Sequence, residues 1–88
     1  MTPKLQNEIA LFCYASVSRM FAMFHNDEFR GPNFKWEEFA EMMEKHCKTN
    51  LFVNVKFPKK QKEECEEHAG NTAREIAENL VHWMTEKN

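Results

Sequence analysis

The sequence predicts a mainly α fold, a small three-helix domain with one short β-strand between helix 2 and helix 3. Three observations carry this. Only two of the 88 residues are glycine, too few for the many tight turns of an all-β fold. Three long segments place apolar residues three and four apart, the period of a helix. One shorter segment alternates instead, the period of a strand.

The first helix is predicted from Pro3 to about His25. Thr2 suits the N-cap and Pro3 the first helical position, where a missing N–H costs nothing. Leu5, Ile9, Phe12, Cys13, Val17, Met20 and Phe24 form its apolar stripe, and Leu11, Ala15, Phe21 and Met23 widen it. A helix apolar nearly all round is expected either to be covered on most sides as the central helix of the bundle or to keep part of its apolar face for a homodimer or a partner protein. Residues 26–33, with Asn26-Asp27 at one end and Gly31-Pro32 near the other, read as a loop. The second helix is expected from Trp36 to Cys47, with Phe34 and Phe39 as a hydrophobic staple, Glu38 at the third helical position and Lys35 as a poor cap.

Lys48-Thr49-Asn50 interrupts that pattern. From Leu51 to Phe57 the residues alternate, with Leu51, Val53, Val55 and Phe57 on one side and Phe52, Asn54 and Lys56 on the other. This predicts a strand that Pro58 ends. The third helix is expected from Lys59 to Glu86. Cys65, Ala69, Ala73, Ile76, Leu80 and Trp83 hold one phase across Gly70, which favours a single helix, with a kink at the glycine as the alternative.

Composition bounds what such a chain does. It is 42% hydrophobic and 30% charged, an ordinary globular balance for one domain over residues 1–88. A net charge of −2 speaks against a duplex-binding protein, which carries a basic excess. The apolar stretch from Ile9 to Phe24 is broken by Ser16, Ser18 and Arg19, so no membrane partner is expected. The opening residues lack a signal-peptide layout. Cys13, Cys47 and Cys65 show no pairing pattern, which points to a reducing, cytoplasmic compartment.

The candidate sites follow from the same segments. Aromatic residues and arginine are common anchors of protein interfaces, which marks Phe29, Arg30, Phe34 and Trp36, with Phe34 and Trp36 equally suited to pinning helix 2 to the core. A lone strand has backbone groups that need partners, so Phe52 and Asn54 join the partner-binding set, the strand pairing in a homodimer or with another protein's sheet. Lys56, Lys59, Lys60 and Lys62 form a basic run suited to phosphates, but Glu63, Glu64, Glu66 and Glu67 follow at once at salt-bridge spacing. His46, Cys47, Cys65 and His68 are zinc-compatible residue types without a finger spacing, and each cysteine also fits an apolar stripe.

No glycine-rich phosphate loop and no HExxH motif is present, and no histidine pairs with a nucleophile in a known pattern. No catalytic residue and no cofactor is therefore assigned. The expectation is a non-enzymatic regulator, inhibitor or adaptor that occludes a partner protein's surface, of a size that viruses and mobile elements also use. A nucleic-acid module on the lysine run and a zinc-stabilised domain are the alternatives.

Overall fold

A computed structural model describes residues 1–26 and 29–86. Asp27 and Glu28, inside the loop expected at 26–33, lie outside the described residues. The chain forms three helices: α1 (Pro3–His25), α2 (Phe39–Asn54) and α3 (Lys62–Glu86), with 3-10 turns at Trp36–Glu38 and Lys59–Gln61 leading into the second and third. The strand expected at 51–57 is not formed, and the described residues contain no strand.

Helix α1 starts where its residues direct. The Thr2 hydroxyl oxygen accepts from the Leu5 N–H at 3.1 Å, satisfying one of the orphan donors of the first turn. Leu5, Ile9, Cys13, Ser16 and Val17 are its buried residues. The cover is partial: Leu11 is 61% exposed and Tyr14 57%, and Ala15, Ser18 and Ala22 are exposed too. Two partner helices cover only one side of a cylinder. The accessible surface of 6265 Å² exceeds the roughly 5,400 Å² typical of this mass, as an elongated body of 42 × 23 × 16 Å requires.

Helix α2 enters through an aromatic cluster. Phe34 stacks on Phe24 with ring centroids 4.8 Å apart, and Trp36 meets Phe34 edge-on at 5.0 Å. Phe39, fully buried, takes Trp36 at 5.3 Å and Phe21 at 6.1 Å. Phe34 thus pins the loop to α1 rather than reaching forward as a staple. Lys35 makes no side-chain cap bond.

Helix α2 then runs two turns past Cys47, and this is what removes the strand. Met43, Cys47, Leu51 and Val55 are all buried and four residues apart, one stripe on one helical face. A strand would have put Val53 beside Leu51 and Val55; instead Val53 is 65% exposed and Phe52 66%. Asn50 and Asn54 donate their side-chain amides to the carbonyls of His46 and Asn50, each at 2.8 Å, so these residues bond back along the helix instead of breaking it. The Val55 N–H closes the last turn on the Leu51 carbonyl at 2.9 Å. Its own backbone is extended, with φ −133° and ψ 132°, and Pro58 follows.

Helix α3 packs on both of the others, while α1 and α2 meet along a narrower contact. Its buried face is Cys65, Ala69, Gly70, Ala73, Ile76 and Ala77. Small residues allow the axes to come close. At Gly70 the approach is tight: a Cβ there would lie 2.7 Å from Lys48 Cδ and 3.1 Å from Glu44 Cγ. The helix continues through this glycine, which serves the α2–α3 approach.

One ion pair ties the exposed edge of that approach. Arg74 Nε donates to Glu44 Oε1, and Glu78 lies 3.9 Å from the same guanidinium. The hydrogen bond from Arg74 holds the Glu44 carboxyl below its usual value. A depressed carboxyl stabilises the fold above the unfolded value of about 4.3 and loses that contribution as pH falls through the folded one. Arg74→Met is expected to melt slightly below the wild type at pH 7, with the gap closing between about pH 4.5 and 3. A gap of the same size at pH 3 would show that the pair contributes nothing specific.

Candidate functional site

The three buried thiols occupy the core and do not form a site of their own. Cys13 Sγ donates to the Ala69 carbonyl at 3.3 Å. Cys47 adjoins Cys13, and this neighbour together with burial holds the Cys13 thiol far above its usual value. Ser16 lies beside Cys47 as well. Residues from all three helices therefore meet at one point. Cys65 is fully buried and its thiol is raised by burial. The Cys13 and Cys65 thiols are protonated small hydrophobes, whereas Cys13 and Ser16 draw the Cys47 thiol below its ordinary value.

The zinc-compatible residues are spread among these contacts. Cys47 lies beside Cys13, and His46 Nδ1 lies 3.4 Å from the Asn50 amide. Among the described residues no three histidine, cysteine or acidic side chains converge as metal ligands would.

The partner-binding set divides. Phe34 and Trp36 belong to the aromatic cluster and are half-buried. Phe29 stays 54% exposed, and Arg30 beside it is half-buried. Phe52 and Asn54, assigned to the outer side of a strand, are exposed on the last turn of α2. They keep their exposure, but their N–H groups are bonded along the helix, so no strand edge remains to pair.

The end of the bundle where α2 finishes and α3 begins gathers the remaining candidates. An open cleft of about 850 Å³ lies there, with Phe52, Val55 and Phe57 as apolar lining and Lys56, Lys59 and Lys62 around them. Glu66 forms its acidic border. Lys60, from the same basic run, is exposed but does not line the cleft. A second recess of about 650 Å³ opens toward α1 between Leu11, Phe12 and Asn54. Val55 and Lys56 line both, so the two hollows share a wall.

Leu11, Tyr14 and Val53 are exposed apolar residues; of these, sequence reasoning placed only Leu11 on a candidate surface, the broad apolar face of the first helix. The signal was their phase. Val53 falls off the Met43–Cys47–Leu51–Val55 stripe once the helix is extended, and Leu11 and Tyr14 fall off the Leu5–Ile9–Cys13–Val17 stripe. No helix among the described residues is long and apolar enough to cross a membrane. No family model matches this chain, and comparison with curated proteins and with solved structures likewise returns no match.

Proposed function

We propose that this chain is a non-enzymatic protein-binding module, a regulator, inhibitor or adaptor that acts by covering part of a partner's surface. The observation that carries the reading is the pair Phe52 and Val53, each about two-thirds exposed on the last turn of α2. Single exposed apolar residues are ordinary. Two adjacent ones beside a cleft and a recess lined by further apolar side chains form a patch, and such patches mark interaction sites. Burying a phenylalanine from that position is worth about 1.5–3 kcal/mol, enough to anchor an interface. The three unpaired buried thiols fit a cytoplasmic, reducing setting.

The test places a photo-crosslinking residue at position 52 and, as control, at exposed Asn79, about 25 Å along α3 from its first residue. In cells of the native host, position 52 is expected to give a discrete protein adduct and position 79 none. Adducts at neither position, or the same adducts at both, would overturn the reading. A single adduct at twice the chain's mass would identify the partner as a second copy and support a homodimer.

A further inference from the structure

We propose that the cleft between the end of α2 and the start of α3 binds an acidic amphipathic peptide segment of another protein. This inference rests on the protein-binding reading and names the chemistry of the partner. The cleft combines two features that a single ligand type must satisfy together. Its apolar residues, Phe52, Val55 and Phe57, come from the last turn of α2 and the connector. Its charges, Lys56, Lys59 and Lys62, come from the connector and the first turns leading into α3. A volume of about 850 Å³ suits several side chains rather than a whole domain face. A segment presenting leucine or phenylalanine three and four residues apart, flanked by aspartate or glutamate, matches both features. The apolar side chains drop onto Phe52 and Phe57 while the carboxylates reach the lysines, which sets orientation and association rate.

The acidic border decides against a nucleic-acid strand. Glu66 lines this cleft and, with Glu63, Glu67 and Glu44, the neighbouring hollow along α2 and α3. A phosphate backbone carries charge at every step and would run from the lysines onto these carboxylates. A peptide carries its charges where its sequence puts them and can end, or turn basic, at Glu66. The exposed lysine ammonium groups are solvated and screened by salt, so affinity comes from the apolar contacts and selectivity from the charges.

Fluorescence anisotropy with the full chain tests this. The probe is a labelled synthetic helical peptide with leucine and phenylalanine on one face and glutamate on the flanks. Comparison peptides carry glutamine or lysine in place of glutamate, and a labelled single-stranded oligonucleotide is the fourth probe. The glutamate peptide is expected to bind at least about tenfold more tightly than the lysine peptide at low salt, with the advantage shrinking as salt rises. Phe52→Ala is expected to weaken it about tenfold. Lys56→Glu, Lys59→Glu and Lys62→Glu together should reverse the preference toward the lysine peptide. All four positions are exposed, and circular dichroism checks that each variant keeps the helical fold. Equal binding of the glutamate and glutamine peptides, no binding of any peptide, or tighter binding of the oligonucleotide would overturn the proposal. An adduct at position 52 in the host, with no preference for the glutamate peptide, would retain the protein-binding reading and remove only this one.

Discussion

Replacing Phe39 with alanine is expected to lower the melting temperature by about 15–30 °C, taking a loss of roughly 3–5 kcal/mol at 4–8 °C for each. Phe39 is fully buried and is the largest side chain to be so. It contacts Phe21 and Phe24 of α1 and Trp36 of the 3-10 turn, so its removal opens a cavity where the loop, α1 and α2 meet. Rings on three sides cannot all move inward, because Trp36 also holds Phe34 and Phe21. A domain of this length has a total stability of about 4–13 kcal/mol, so the variant sits near its unfolding threshold at room temperature. Thermal circular dichroism is the measurement, with Phe52→Ala as the comparison. Phe52 is 66% exposed, and its loss is expected to move the midpoint by less than about 3 °C. A Phe39→Ala shift below about 5 °C would mean that the aromatic cluster collapses around the gap and contributes little.

That contrast between two phenylalanines in one helix bears on what the sequence could and could not reveal. Helix α1 was legible to the residue because Thr2 and Pro3 are chemical start signals, independent of the rest of the fold. Helix α3 was legible through Gly70 because the apolar phase on either side agrees. The end of α2 was not legible because two periods overlap there. Leu51 and Val55 fit a spacing of four with Cys47 and a spacing of two with Val53 and Phe57. Lys48-Thr49-Asn50 looks like a break only if the asparagine amide is taken to compete with the helix. Here the amides of Asn50 and Asn54 return to the carbonyls one turn back, and the burial of Leu51 against the other helices outweighs their weak propensity.

The same ambiguity hid the site. The lysines were visible in the chain, and so was Phe52, but as a strand residue Phe52 would have faced away from Leu51 on a separate element. Extending α2 by two turns carries Phe52 to the mouth of the cleft where Lys56, Lys59 and Lys62 already stand. Leu11 and Tyr14 were legible only as parts of a broadly apolar helix. Their exposure depends on how much of α1 the other two helices cover, and that is a property of the packed bundle rather than of any local pattern.

Thr49→Pro separates the two readings of this segment with a large expected effect. In the strand reading, residue 49 sits in a connector, where proline is tolerated and changes stability by less than about 1 kcal/mol. In the helix, proline at 49 removes the N–H that bonds to the carbonyl of Lys45 and drives its ring into that same carbonyl, at a cost of about 3 kcal/mol or more. Thr49 is exposed, so little packing is lost with the side chain and the change reports on the backbone. The expected result is a fall in melting temperature of about 12 °C or more together with a loss of helical signal. The damage should also spread, because the turns beyond 49 carry Leu51 into the core and Phe52 to the cleft. Binding at the cleft should therefore weaken even at temperatures where the rest of the bundle stays folded, since the C-terminal turns of α2 anchor to the core through Leu51 and Val55. A proline variant that melts with the wild type would mean that α2 ends near Cys47 after all, and the apolar lining of the cleft would lose the element that positions it.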